Sequence, residues 1–232
     1  MVRGKRYRDA VKGFTPDNLY SDDAAIRVVK DMASCRFDET VDIALKLGLD
    51  PRRADQILRG TVNLPAGTGK TVRVAVFAEG EAATQAREAG ADRVGSQDLA
   101  EEITSGEVDF DVCIATPETM RIVGTLGRVL GPRGLMPNPK SGTVTSDITK
   151  AINEFKGGRV GYRTDKFANV HIPIGKTSFT EDDLLKNLRA VVAELRRVKP
   201  AAAKGQYMQK VVLSSTMGPG VRVDPNRIEA SL

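Results

Sequence analysis

Residues 64–77 read LPAGTGKTVRVAVF, and the interpretation of this stretch decides the architecture. Gly69-Lys70-Thr71 ends the way a phosphate-binding P-loop ends, which would make the chain a nucleotide enzyme. Two features exclude that motif. A P-loop requires glycine five positions before Gly69, where Leu64 stands; it also requires a helix N-terminus to hold phosphate, whereas Thr71 leads into a valine-rich strand pattern. The run Pro65, Ala66, Gly67, Thr68, Gly69 is instead a breaker cluster between two different textures of sequence.

Upstream of it, Ile26, Val29 and Ala33 recur at helical spacing, with Ser21 placed as N-cap and Asp22 and Asp23 in the first turn. Val41, Ile43, Leu45 and Leu47 then alternate with Asp42, Ala44 and Lys46, which predicts a strand with one buried face. Residues 48–55 turn the chain and a second strand follows over 59–64. Downstream, short strands over 72–77, near Val94 and over 112–115 alternate with helices over 81–88 and 97–103, the pattern of a parallel sheet covered by helices. Thr116, Pro117 and Glu118 predict an N-cap, an N1 proline and an acidic first turn for a helix running towards Val129. Ile148, Ala151, Ile152 and Phe155 form a further amphipathic helix closed by Gly157-Gly158.

An α+β texture then resumes. Strands are expected over 160–163 and 169–174 around a turn at 164–167, and over 208–215 and 221–223 around a turn at 217–220. Between them Thr180 and Asp183 resemble a capping box, and Leu184, Leu188, Val191 and Leu195 share one helix face. The fold expected is therefore mixed α/β and α+β in two domains. Residues 1–67 plus 160–232 form a discontinuous α+β domain, and 68–159 form an inserted Rossmann-like α/β domain. Two crossings between them permit hinge motion.

Composition narrows the function classes. The chain has 232 residues, 41% of them hydrophobic, which supports a packed core, and no apolar run approaches the roughly 18 residues of a membrane span. The N-terminus MVRGKRYRDAVKG lacks the apolar stretch of a secretory signal, so a cytoplasmic location is expected, and Cys35 and Cys113 read as free thiols. The formal net charge is +5, unevenly spread: residues 68–159 hold 11 Lys+Arg against 13 Asp+Glu, and the remainder holds 24 against 17. The outer segments carry the positive field that a polyanion would meet. His171 is the single histidine, in a strand pattern and without a nucleophile motif. One histidine and two distant cysteines assemble no metal set. Gly124, Gly127, Gly131 and Gly134 miss the spacing of a dinucleotide fingerprint. No catalytic residue, metal or cofactor is expected.

Four segments have the chemistry of nucleic-acid contacts. Residues 124–143, GTLGRVLGPRGLMPNPKSGT, carry Arg128, Arg133 and Lys140 with no acidic residue, and their glycines and prolines predict an exposed basic loop rather than packed core. Arg3, Lys5, Arg6 and Arg8 around Tyr7 form either a solvated terminus or a phosphate-contacting arm. Arg36-Phe37 joins a cation to an aromatic, either a stacking face for a base or a core residue. Residues 214–220, SSTMGPG, end a strand in hydroxyls and a glycine-rich turn, suited to ribose 2′-OH and phosphate though also to a plain hairpin.

Together these residues closely resemble the ribosomal protein L-one family in its bacterial form, over essentially the whole chain. The motifs are GKRYR at 4–8, RFDET at 36–40, KLGLDPRRADQ at 46–56, LRGTV at 58–62, LGRVLGPRGLMPNPK at 126–140 and STMGPGVRV at 215–223. The resemblance implies a non-enzymatic constituent of the large ribosomal subunit, at the mobile stalk near the exit site. It implies binding of large-subunit (23S) rRNA by the terminal domain, assistance to release of deacylated tRNA from the E site, and translational repression through the protein's own operon mRNA. It further implies a ribosome-associated cytoplasmic protein, monomeric when free, with no membrane partner. Carried over by motif, the RNA contacts are Arg36, Phe37, Glu39, Thr40, Asp165, Lys166, Ser215, Thr216, Met217 and Gly218. A tRNA or secondary contact would use Arg121, Arg128, Arg133 and Lys140. Two departures stand out: Arg36 where relatives often have lysine, and Phe167-Ala168 where many have Thr-Gly. The rival reading is an α/β enzyme whose inserted domain binds a nucleotide, motivated by the βα units and Gly69-Lys70-Thr71.

Overall fold

The computed structural model describes residues 4–106 and 108–230. The chain divides into two compact units, Met1–Gly69 with Val160–Leu232, and Lys70–Arg159. In the first unit, α1 (Lys5–Lys12), α2 (Asp22–Met32), β1 (Thr40–Leu47), a 3-10 turn (Ala54–Gln56) and β2 (Arg59–Asn63) come from the N-terminal part. The second unit contributes β3 (Val74–Phe77), α3 (Gly80–Glu88), β4 (Arg93–Gly95), α4 (Gln97–Ser105), β5 (Val112–Ala115), α5 (Met120–Thr125), α6 (Gly127–Leu130) and α7 (Ile148–Lys156). The first unit is completed by β6 (Arg159–Arg163), β7 (Asn169–Lys176), α8 (Glu181–Arg197), β8 (Met208–Ser215), β9 (Val221–Val223) and α9 (Pro225–Ala230).

The first unit is built on a four-stranded sheet of order β7-β1-β8-β9, with β2 and β6 paired separately. The alternation in β1 decides which face is covered. Val41, Ile43, Leu45 and Leu47 point into a core completed by Ile26 and Val29 of α2 and by Leu184, Leu188, Val191 and Leu195 of α8, all at most 1% exposed. Burying each such side chain contributes about 2 kcal/mol. Thr40, Asp42, Ala44 and Lys46 lie on the opposite face, where the described residues place no helix. Both major helices begin as the sequence predicts: Ser21 Oγ accepts from the Ala24 N–H, and Thr180 Oγ1 accepts from the Asp183 N–H while donating to the Asp183 carboxylate.

The second unit has a parallel sheet of order β4-β3-β5, extended by a bridge from Ala115 to Val144. Its two faces bury separate clusters, one around Phe77, Ile103 and Leu130 and the other around Val76, Ile114 and Ile152. Within this unit, burial pushes the Cys113 thiol up to about 12, so it stays protonated.

The N-terminal arm, open between a solvated terminus and a phosphate-contacting arm, is helical from Lys5 through Lys12 and buries none of those residues, which fits either reading; Arg3 lies outside the described residues. Two sequence expectations are corrected. No helix starts at Thr116, because residues 117–119 turn to close off β3: the Thr116 N–H and the Thr119 hydroxyl both donate to the Phe77 carbonyl, at 3.1 and 2.9 Å. The helix starts at Met120 and breaks at Leu126. Residues 124–143 are only in part a loop, since their first residues lie in α5 and α6 and bury Leu126 and Leu130 at 3% and 0% exposure. The remainder is held by Asn138, whose carbonyl accepts from Ser141 and Thr143 and whose N–H donates to Thr143 Oγ1 at 2.8 Å. The short helix α9 carries too little periodicity to be read from sequence.

Asn187 of α8 is fully buried and closes a polar triangle. Its Oδ1 accepts from the Ala66 N–H at 3.0 Å, and its Nδ2 donates to the carbonyls of Gly67 and Ile174 at 2.9 and 2.7 Å. Asn187→Ala orphans three backbone groups and is expected to cost about 2–4 kcal/mol, measured as a lowered urea midpoint.

Candidate nucleic-acid interface

One end of the first unit's sheet gathers residues far apart in sequence. Thr216, just past β8, lies against Thr40 at the start of β1: its Oγ1 accepts the Thr40 N–H at 3.0 Å and donates to the Thr40 carbonyl at 3.3 Å. The Glu39 carboxylate, 1% exposed, accepts the Cys35 N–H at 3.2 Å and the Met217 N–H at 2.9 Å. Ser215 is buried beside it, its hydroxyl near enough to help hold Glu39 charged without reaching hydrogen-bond geometry. Gly218 closes the turn so tightly that a Cβ there would stand 2.5 Å from Ser215 Oγ. On the other side, Asp38 accepts from the Ser178 hydroxyl, Thr177 hydroxyl and Ser178 N–H at 2.7, 2.9 and 3.0 Å.

These two carboxylates fix the segment between Cys35 and Thr40 and leave Arg36 and Phe37 outside it. Phe37 is 55% exposed and Met217 57% exposed at the same end of the sheet. A phenylalanine held open by polar anchors on both flanks is a surface for stacking. Of the residues expected at the contact surface, Glu39 and Ser215 are turned inward, where they position Phe37, Thr216 and Met217. Thr216 is exposed, and its hydroxyl is engaged with Thr40 in both directions, which leaves one oxygen lone pair open.

Asp165 and Lys166 do not join this cluster. The β1–β7 register pairs Thr40 with Lys176 and Lys46 with Asn169, so the turn holding Asp165 and Lys166 stands at the far end of β1, about 20 Å away at 3.4 Å per residue. The two groups are joined by the uncovered sheet face. Across it Asp42 lies between Pro173 and Ser214, Ala44 between His171 and Val212, and Lys46 between Asn169 and Lys210, with Arg222 beside Val212. Lys46, Lys210 and Arg222 offer cations to the backbone of a polyanion, while Asp42 puts a carboxylate on the same face. Burial of Asp42 raises its carboxyl above the usual range, against the lowering effect of His171 and Lys176. Lys46, Lys210 and Arg222 were not singled out from sequence, and His171 was read there only as a strand histidine, although the period-two alternation that buries Ile43 and Leu45 also assigns Lys46 to this face.

The second unit carries a helix N-terminus at α4 and a cleft between α4 and α5. At the N-terminus of α4, the Asp98 carboxylate accepts the Ser96 N–H at 2.8 Å, occupying the place a phosphate would take. A cleft of about 620 Å³ between α4 and α5 has hydroxyls at Thr104, Ser105 and Thr125, but each donates to a carbonyl of its own helix. Arg121, Arg128, Arg133 and Lys140 are exposed on this unit. No group of histidine, cysteine and carboxylate side chains among the described residues could hold a metal, and no described helix is long and apolar enough to cross a membrane.

Residues 29–219 match the model of the Ribosomal protein L1p/L10e family. The chain is 57% identical over 225 residues to the large ribosomal subunit protein uL1 of Cutibacterium acnes, covering 97% of each chain. It is 55% identical to the uL1 proteins of Nocardioides sp. and Thermobifida fusca, covering 98% and 97% of this chain and 95% and 96% of theirs.

Burial alone would raise the Glu39 carboxyl, but the Met217 N–H, the Ser215 hydroxyl and the Cys35 backbone outweigh it and hold it below its ordinary 4.5. A depressed folded value contributes stability above the unfolded value and loses it as pH falls through the folded one. Glu39→Gln is thus expected to be less stable than the parent at neutral pH, with the gap closing below about pH 4.5, measured by urea denaturation across pH.

Proposed function

The chain belongs to the Ribosomal protein L1p/L10e family, and from that premise we propose that it is a constituent of the large ribosomal subunit that grips large-subunit rRNA with the uncovered sheet face of its first unit. It is a structural protein and not an enzyme. The observation that carries the reading is the presentation of Phe37 and Met217, exposed at one end of that face and fixed there by the Asp38 and Glu39 anchors. Arg36, Phe37, Thr40, Thr216, Met217 and Gly218 supply stacking and close backbone approach. Lys46, Lys210 and Arg222 supply phosphate contacts along the sheet, and Lys166 does so at its far end, where Asp165 shapes the turn.

The same face would take a segment of the protein's own operon mRNA that presents the same shape, giving translational repression. In the second unit, Arg121, Arg128, Arg133 and Lys140 are exposed cations, Lys140 within the turn that Asn138 holds, suited to transient contact with the deacylated tRNA leaving the E site. The protein works in the cytoplasm as part of the ribosome and is a monomer when free.

Filter binding to transcribed large-subunit rRNA tests the main reading. If four cations on the face each meet a phosphate, affinity should fall on the order of fifty-fold between roughly 50 and 200 mM salt. Phe37→Ala and Thr216→Val are expected to cost about 1–3 kcal/mol each, and Lys204→Ala, on the exposed loop before β8, close to nothing. A flat salt dependence, or equal losses in all three variants, would contradict it.

A further inference from the structure

At the end of the uncovered face opposite Phe37, the turn between β6 and β7 carries a second exposed aromatic. Phe167 is 62% exposed, although it stands in a turn otherwise made of Asp165 and Lys166. The turn is rigid. The Asp165 carboxylate accepts the Phe167 N–H at 2.7 Å, the Asn169 N–H at 2.8 Å and the Asn169 amide at 2.9 Å. Ala168 is held at φ +61°, a conformation that side chains other than glycine rarely adopt, and its carbonyl accepts the Leu47 N–H at 3.0 Å. The ring is thereby fixed to the end of β1.

Its surroundings are cationic. The Lys166 ammonium lies 5.3 Å from the ring centroid. One residue from the anchoring Leu47, Lys46 stands directly opposite Lys210 across the β1–β8 ladder, and both are exposed. Like charges in that position repel, and among the described residues neither lysine forms an ion pair. An anion between them would remove the repulsion. An apolar protein or lipid partner covering the ring would desolvate three lysines without neutralising them.

We propose that Phe167 stacks on a nucleobase of the bound RNA, with Lys166, Lys46 and Lys210 meeting the flanking phosphates. This is a second anchor, about 20 Å along the face from Phe37 by strand rise. The inference rests on the RNA reading above and adds a contact to it.

The chain contains no tryptophan, so Phe167→Trp places a single indole at the proposed stack, and Glu88→Trp places one at an exposed position of α3 in the second unit. Titration with transcribed large-subunit rRNA, followed by tryptophan emission, should quench the indole at position 167 strongly and that at position 88 little. In filter binding, Phe167→Ala should weaken association on the order of tenfold, Phe167→Tyr should restore it to within about twofold, and the thermal midpoint of each variant should match the parent. If rRNA binds the parent and is lost with Phe37→Ala, but Phe167→Ala binds as the parent does and position 167 is not quenched, the second anchor is overturned while the RNA reading stands. Failure of the parent itself to bind rRNA overturns both.

Discussion

The antiparallel pairing of β1 with β7 on one side and β8 on the other is the constraint on which the first unit depends. Thr40 meets Lys176, and Val41 meets Ser215, so the hydrophobic side of β1 is buried only after the chain has left, built the second unit and returned. Closing a loop of that length costs about 4 kcal/mol more than closing a very short one, by the (3/2)RT ln n scaling. The cost is met by burying the inner residues of three strands against α2 and α8. Because β1 has helices on one side only, the same pairing that builds the core leaves its other side, with Lys46 and the Thr40 end, open to solvent.

Carboxylates play an indirect part in this protein. Asp38, Glu39 and Asp165 stand within the segments whose cations and aromatics are proposed to meet RNA, and a negative charge beside a polyanion would be costly if it were free. Each is instead spent on hydrogen bonds from the protein's own backbone and hydroxyls, with its carboxyl held below the ordinary range. Asp38 and Glu39 fix the two flanks of Phe37, and Asp165 fixes the turn that carries Phe167. The aromatic rings are exposed because the acids are turned inward.

Local signals were legible wherever one physical rule acted without competition. Ser21 and Thr180 cap helices as their positions predict, because a hydroxyl just before an apolar periodic run meets the free N–H groups of the first turn. The alternation of residues 41–47 marks a half-buried strand because the side-chain period of a strand is two. Reading failed where tertiary partners outbid a local pattern. Thr116-Pro117-Glu118 has the grammar of a helix start, but the Phe77 carbonyl at the end of β3 claims the Thr116 N–H and the Thr119 hydroxyl. Residues 124–130 look too glycine-rich to pack, yet Leu126 and Leu130 find a hydrophobic cluster formed by Phe77, Leu99 and Ile103.

By itself the sequence determined the strands, the helices α2, α3, α4, α7 and α8, and the excess of cations in the outer segments, because spacing, capping and charge are local properties. It also supplied the motifs that carry the family resemblance. Only the tertiary structure decided which residues act together. Strand register separates Asp165 and Lys166 from Thr216 and Met217 by the length of β1, and it places Lys46 opposite Lys210. Burial turns Glu39 and Ser215 inward, beside the backbone that carries Phe37 and Met217. Register and burial arise from contacts between segments more than a hundred residues apart, and no local pattern encodes them.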